Sequence, residues 1–208
     1  MVHISDGILA PWLLGSGWVI TVAILAYALS KMKIDDVPKL SVITAAVFVA
    51  SLIHIQFGPT SVHFILNGFA GVMLGVLAYP CIFIALTMQF FLFQHGGLTT
   101  IGINTVNIGV PALVSYLIFR TGTGLSIRTK VGNTKHRLVL FGAIGGGLAV
   151  VLSLAFVAVE LITTGEQFIE TAVLVVGTHI PIIAVEAIFT GVIVGFFATV
   201  APELLHKR

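Results

Sequence analysis

Long, nearly continuous apolar runs dominate the chain, and short segments rich in polar residues, glycine or proline separate them. A helix needs about 20 apolar residues to cross the hydrocarbon core of a bilayer. Gly177 and Pro181 are expected to break the last long run, which leaves 167–177 as a short separate helix. The runs predict seven membrane-spanning helices, over residues 11–30, 40–57, 62–79, 81–94, 104–120, 138–160 and 181–201.

Composition agrees with a membrane location. Hydrophobic residues make up 58% of the 208 residues and charged residues only 9%, against about 25% charged in average soluble domains. The 80 residues between Lys39 and Arg120 contain no Asp, Glu, Lys or Arg. The runs do not alternate as the strands of an outer-membrane barrel would. We therefore predict an all-α, polytopic membrane protein that forms one domain over residues 1–208.

Charge and cysteine content exclude other classes. A net charge of +2 is too small for electrostatic binding of nucleic acid. The single cysteine, Cys81, lies within an apolar run and has no partner for a disulfide framework. The N-terminus lacks a positively charged region before its first apolar stretch, so no cleaved signal peptide is expected.

The basic residues predict the orientation of the chain. With seven spans, all ten fall on one side of the membrane, in the first loop, the fifth loop and the C-terminus. The positive-inside rule makes that side cytoplasmic. We therefore expect the protein to lie in the cytoplasmic membrane, with its N-terminus outside the cell and its C-terminus in the cytoplasm. These residues are Lys31, Lys33, Lys39, Arg120, Arg128, Lys130, Lys135, Arg137, Lys207 and Arg208.

Histidines concentrate on the opposite side. Five of the seven, His3, His54, His63, His95 and His179, fall at or near the outer ends of predicted segments. A single histidine there would more often be a hydrogen-bonded interface residue than a ligand. Imidazole is, however, a common ligand of Zn, Cu, Fe and Ni, and polar groups within a bundle are candidates for a functional site.

The first three residues, Met1, Val2 and His3, form a chelating unit. A terminal amine, deprotonated backbone amides and an imidazole can lie in one plane as nitrogen donors, an arrangement typical of Ni(II) or Cu(II). If Met1 is retained, its amine, two amides and His3 supply four donors. If Met1 is removed, Val2 supplies the amine, His3 supplies one amide and its imidazole, and a second imidazole takes the fourth place.

Four segments resemble, in order, the sequence signature of the CbiM/NikM family. The first begins at the third residue and reads His-Ile-Ser-Asp-Gly-Ile-Leu, and the second reads Gly-Pro-Thr-Ser-Val-His. The third reads His-Gly-Gly-Leu-Thr-Thr-Ile-Gly-Ile-Asn-Thr, and the fourth is His-Ile-Pro with a later glutamate. They occupy His3–Leu9, Gly58–His63, His95–Thr105, and His179–Pro181 with Glu186.

This resemblance implies the substrate-binding component of an energy-coupling-factor ABC importer for nickel or cobalt. The planar nitrogen donors described above favour Ni²⁺, with Co²⁺ as the alternative. Such a component binds the ion outside and works with a transmembrane coupling subunit, cytoplasmic ATP-binding subunits and, in some systems, a small accessory membrane subunit. By position, the family's ligands fall on the terminal residue (Met1 or Val2), His3 and His63. The family usually begins Met-His, whereas here Val2 separates Met1 from His3. Which residue donates the amine therefore stays open, and so does whether His63 is a ligand in the plane of the nitrogen donors or an axial one.

Other polar residues are expected to position these ligands. Residues 1–10 would form a metal-binding loop packed into the bundle. Side chains near it can bond its backbone or orient His63. These candidates are Asp6, Ser61, His95, Thr99, Thr100, Asn104 and Glu186.

Two other functions remain open at this stage. A self-sufficient secondary transporter or proton-coupled channel would use ionisable groups near the midplane, for which Glu186 is the one candidate. An intramembrane metalloenzyme is disfavoured because His-Glu-x-x-His is absent. The sequence also lacks the Gly-x-x-x-x-Gly-Lys-Ser/Thr loop, so we expect no enzymatic activity in this chain and ATP hydrolysis in separate subunits.

Overall fold

The structure of the protein, a computed structural model, describes residues 3–57, 60–124 and 134–206. Over these ranges it is a helical bundle with one short β-hairpin. The helices are α1 (Pro11–Ser30), α2 (Val37–Ser51), α3 (Asn67–Leu74), α4 (Ala78–Phe93), α5 (Ile101–Thr123), α6 (Thr134–Thr164), α7 (Ile169–Val200) and α8 (Glu203–His206). The strands are β1 (His54–Phe57) and β2 (Thr60–His63).

The prediction of an all-α membrane protein is confirmed. Large apolar side chains face outwards, among them Val19, Val42 and Ile188, which are 71%, 69% and 65% exposed. The predicted helices occur in the predicted order, although α2 has 15 residues and α3 has 8, fewer than a full span needs. Among the described residues, five stretches are long and apolar enough to cross a membrane: Pro11–Ser30, Asn67–Phe93, Ile101–Thr123, Lys135–Thr164 and Glu166–Val200.

The predicted break near Gly177 and Pro181 is wrong. Helix α7 runs unbroken for 32 residues with Pro181 inside it. Proline removes one helical hydrogen bond, but membrane helices tolerate such residues because neighbouring helices and local adjustments satisfy the backbone group that is released. The segment 167–177 is therefore not a separate surface helix.

The predicted spans 40–57 and 62–79 are wrong where they approach each other. The chain there forms an antiparallel hairpin in which His54 pairs with His63 and Phe57 with Thr60. Gly58 and Pro59, which separate the strands in sequence, belong to the two residue types with the lowest helix propensity. The hairpin leads directly into α3.

Helix α3 lies at the centre of the bundle. All eight of its residues are buried, and it packs against both α5 and α6. A Cβ atom on Gly68 would lie 2.5 Å from the Cα of Gly146, and one on Gly71 would collide with the carbonyl of Ala112. These small residues let the helix backbones approach closely, and the start of α3 is thereby held in place just after β2.

Candidate metal centre

His3 and His63 lie against each other inside the protein. Their ring centroids are 4.9 Å apart and their planes differ by 9°. The two residues are 5% and 2% exposed. The structure therefore brings together the two histidines that the sequence marked as ligands, although 59 positions of chain separate them.

The hydrogen bond of His63 sets the roles of its ring nitrogens. Nδ1 of His63 lies 2.9 Å from the carbonyl oxygen of Phe64. A carbonyl oxygen only accepts hydrogen bonds, so Nδ1 carries the proton of the neutral ring and Nε2 carries the lone pair. Nε2 is therefore the atom of His63 suited to binding a cation.

Glu186 holds the segment that follows His63. The backbone N–H groups of Ile65 and Leu66 donate to its Oε1 at 2.6 and 2.9 Å. Leu66 has a φ of 52°, a left-handed conformation that is uncommon outside glycine, and these bonds hold it. Glu186 therefore connects α7 to the turn between β2 and α3, and it is 0% exposed.

Asn104 holds the segment that follows His3. Its Oδ1 accepts from the N–H of Ile4, and its Nδ2 donates to the carbonyl of Ile4, both at 2.9 Å. Asn104 also donates to the hydroxyl of Thr100 at 3.3 Å. Because both backbone polar groups of Ile4 are bound, the chain position of His3 is set by α5.

Asp6 holds the N-terminal loop against the segment before α5. Its carboxylate accepts from the N–H groups of Leu98, Thr99 and Thr100 and from the hydroxyl of Thr99. Partial burial acts to raise the pKa of Asp6, but these hydrogen bonds outweigh it and the pKa is lowered. A Cβ atom on Gly97 would lie 2.6 Å from the backbone nitrogen of Asp6, so glycine is required at this contact.

A cavity of about 10 Å³ lies beside the two histidines, which is room for a single water-sized group. Two of its polar side chains, Ser51 and Gln89, were not predicted from the sequence. The signal for Gln89 was an amide in the middle of the mostly apolar run 81–94, whose other polar residues are Thr87 and Gln94. The lining residues are His3, Val47, Ser51, His63, Phe64, Ile65, Ile82, Ala85, Leu86, Gln89 and Ile108.

The remaining predicted site residues are placed differently. His95 contacts the ring of Phe93, with centroids 6.3 Å apart, and it does not line the cavity. Ser61 lies in β2, and its side chain is outside the described part of the structure. Met1 and Val2 also lie outside the described residues.

The donor set at this site is rich in nitrogen and poor in acid. The lining of the cavity contains two imidazoles and no carboxylate. Among the described residues, no group of three or more His, Cys, Asp or Glu side chains is arranged to hold a metal ion. Imidazole suits Ni, Cu, Zn and Fe rather than Mg or Ca, so the site has the chemistry of a transition-metal centre.

Comparison with known proteins agrees with this chemistry. A protein of Haemophilus influenzae, assigned by its name to metal transport, is 31% identical over 208 residues, with 99% of this chain and 98% of the relative covered. One of Methanocaldococcus jannaschii, assigned to cobalt transport, is 28% identical, with 99% and 91% covered. The crystal structure of a transition metal transporter superposes with a TM-score of 0.78 at 25% identity, with 99% of this chain and 96% of that chain covered.

The sequence signature extends over nearly the whole chain. Residues 3–204 match the model of the family described as the cobalt uptake substrate-specific transmembrane region. This match includes both histidines and the residues that hold the loops beside them. The chain is therefore a member of the CbiM family of membrane proteins for transition-metal transport.

Proposed function

We propose that this chain binds Ni²⁺ on the outer side of the cell membrane as the substrate-binding component of an energy-coupling-factor importer. The observation that carries the proposal is the buried pair His3 and His63 beside a cavity of about 10 Å³. A cavity of that size suits one ion and excludes an organic substrate. The ion is the cargo of the protein.

Nitrogen atoms of the N-terminus complete the proposed ligand set. His3 supplies its imidazole and its backbone amide, the terminal residue supplies its amine, and His63 supplies Nε2. The other donors have to come from the chain end because the described residues offer no third histidine, cysteine or acid at this site. Four nitrogens in a plane satisfy Ni(II), which favours Ni²⁺ over Co²⁺ as the cargo.

Two forms of the terminus fit this arrangement differently. If Val2 is the first residue, one amine, one amide and two imidazoles make four donors with His63 in the plane. If Met1 is the first residue, the terminus and His3 already provide four donors, and His63 becomes axial. Intact-mass measurement shows which residue is first, and X-ray absorption of the Ni²⁺-loaded protein counts its imidazole ligands.

Energy and coupling are assigned to other subunits in this proposal. The chain has no phosphate-binding loop, so ATP hydrolysis belongs to cytoplasmic ATP-binding subunits that act through a transmembrane coupling subunit. Names of relatives support partners of this kind: a protein of Archaeoglobus fulgidus, 26% identical, is named as a fused nickel transport protein NikMN. One of Methanocorpusculum labreanum is named as a fused cobalt transport protein CbiMQ. A small accessory membrane subunit is a further expected partner.

The proposed orientation follows the positions of charge and site. Lys39 donates to the carbonyl of Leu204 at 2.6 Å, so the first basic loop and the C-terminal helix lie at the same end of the bundle. His3 lies before α1, whereas Lys39 follows the loop at the other end of that helix. With basic residues in the cytoplasm, the metal site faces outwards.

Isothermal titration of the purified full-length protein with Ni²⁺ tests the proposal. We expect binding by the wild type, loss of binding in His3→Ala and a large reduction in His63→Ala. His136→Ala, which changes an exposed histidine on α6, serves as the control and is expected to bind normally. Unchanged binding by His3→Ala would refute the ligand set, and Ni²⁺ uptake by vesicles holding this chain alone would favour a self-sufficient transporter.

A further inference from the structure

Gln89 and Ser51 form a hydrogen-bonded chain between α4 and α2. Nε2 of Gln89 donates to Oγ of Ser51, and that hydroxyl donates to the carbonyl of Phe48, each at 2.5 Å. Because the Ser51 proton is used on a carbonyl, its oxygen only accepts from Gln89. The amide of Gln89 is therefore oriented, with its NH₂ group towards α2 and its carbonyl oxygen Oε1 directed elsewhere.

This oriented amide lines the cavity at the metal centre. Gln89 and Ser51 are 3% and 4% exposed, and both face the cavity that His3 and His63 line. The other described lining residues have apolar side chains. Gln89 thus offers the one amide oxygen among the described side chains around this cavity, and it does so without a charge.

Coordination by the N-terminus creates a need for such an acceptor. A residue that binds a metal through its backbone amide and its imidazole closes a six-membered ring only through Nδ1. Nε2 of His3 then carries the proton and points away from the ion. A buried N–H group requires an acceptor, and metal-binding histidines nearly always donate their second N–H to an oxygen atom.

We propose that Oε1 of Gln89 accepts the Nε2–H of His3 when the ion is bound, and that Ser51 holds Gln89 in the orientation that allows it. Gln89 is in this role a positioning residue. It selects the tautomer of His3 that binds through Nδ1, and it makes that nitrogen a stronger donor. The inference rests on the proposed function, since it assumes that His3 is a ligand.

The expected effects are measurable on the full-length protein in detergent. Loss of an outer hydrogen-bond partner typically reduces metal affinity by about 10- to 100-fold, and we expect this reduction in Gln89→Leu. Gln89→Glu keeps an acceptor oxygen for His3, and its carboxylic acid form also keeps a donor to Ser51, so it should bind Ni²⁺ close to the wild-type affinity. Ser51→Ala keeps the acceptor but releases its orientation, so its reduction should be smaller than that of Gln89→Leu.

A spectroscopic measurement separates this role from simple packing. The visible absorption band of Ni²⁺ reports the strength of its nitrogen donors, so it should shift in Gln89→Leu and Ser51→Ala and return in Gln89→Glu. Thr21→Val is the matched control, because Thr21 is also a buried hydroxyl, bonded to Tyr79 on α4 at 3.0 Å, and it does not line the cavity. We expect neither a shift nor a loss of affinity in this control.

Different outcomes refute the two proposals. If His3→Ala binds Ni²⁺ like the wild type, the proposed function fails. If His3→Ala does not bind but Gln89→Leu and Ser51→Ala keep the wild-type affinity and band, the role of Gln89 alone is refuted. Equal weakening in Thr21→Val, without a shift of the band, would also overturn it. If Gln89→Leu does not fold, the Ni²⁺ affinity and absorption band of Ser51→Ala, compared with those of Gln89→Glu, test the role of Gln89 instead.

Discussion

Asn104 binds both backbone polar groups of Ile4, a residue 100 positions away, through two hydrogen bonds of 2.9 Å. This pairing resembles the bonds between adjacent β-strands, with a side-chain amide in the place of a second backbone. It joins the N-terminal loop to α5, one residue after the proposed ligand His3.

Replacement of Asn104 should therefore weaken Ni²⁺ binding, by an amount that depends on how many of the two hydrogen bonds are lost. Asn104→Asp keeps the acceptor for the Ile4 N–H but loses the donor for its carbonyl, whereas Asn104→Leu loses both. A buried backbone group without a partner costs about 1–3 kcal/mol, so we expect a smaller loss of affinity and thermal stability in Asn104→Asp than in Asn104→Leu. Equal Ni²⁺ affinity in Asn104→Leu and wild type, measured by calorimetry, would show that this contact does not position His3.

Glu186 should act through the backbone of Ile65 and Leu66. Glu186→Gln retains an oxygen acceptor and is expected to remain close to the wild type. Glu186→Leu leaves two buried N–H groups without an acceptor, and we expect a loss of about 2–5 kcal/mol in unfolding free energy together with weaker Ni²⁺ binding.

Thermal unfolding and Ni²⁺ titration of the same samples test this expectation. Glu170→Leu changes an exposed acid on the same helix, α7, and should leave both measurements nearly unchanged. A stable, tightly binding Glu186→Leu protein would contradict the role of the carboxylate.

Gly97→Ala should displace the N-terminal loop without unfolding the bundle. The added Cβ would lie 2.6 Å from the backbone nitrogen of Asp6, so Asp6 and the loop must move. We expect the Ni²⁺ affinity to fall by about tenfold or more, equal to about 1.4 kcal/mol. Gly177→Ala, where a Cβ meets no atom within 4 Å, is the control and should bind normally. Wild-type affinity in Gly97→Ala would mean that the loop tolerates the shift.

The pH dependence of binding should arise from the ligands and not from Asp6. An amine and imidazoles must lose protons to bind the ion, so affinity should fall as the pH decreases from about 8 to about 6. In the folded protein the pKa of Asp6 lies below its usual value of 3.8. Its stabilising contribution is therefore complete above that value and is lost only as the pH falls through the lower folded pKa.

Asp6→Asn tests this separation. Loss of the charge and of acceptor capacity should weaken Ni²⁺ binding by a similar factor at each pH between about 6 and about 8. The slope of affinity against pH should match that of the wild type. A flatter slope in Asp6→Asn would assign part of the proton release to this carboxylate.

Residue types alone predicted the membrane location and the order of the helices. Apolar runs with almost no charge require a membrane and an internally hydrogen-bonded backbone, and the helices follow in order. Local motifs also marked His3 and His63, because unusual residues stand out against an apolar background. Asp6, Asn104 and Glu186 were predicted as anchors, and the structure shows which backbone groups each of them binds.

Helix continuity was harder to predict. Proline usually ends or kinks a helix in soluble proteins, but α7 continues through Pro181. The hairpin of β1 and β2 was missed for a related reason. Its strands have four residues each, which is too short for periodicity to distinguish them from the end of a helix.

The sequence by itself determined that the chain is a membrane-embedded helical protein with a nitrogen-rich N-terminus. Only the tertiary structure decided that His3 meets His63 beside a cavity that Ser51 and Gln89 also line. The physical reason is that helices in lipid are apolar on every side, so no amphipathic pattern shows which face turns inwards. The packing of α2, α3 and α4 against one another makes that choice, and it brings the side chain of Gln89 to the cavity that the two histidines line.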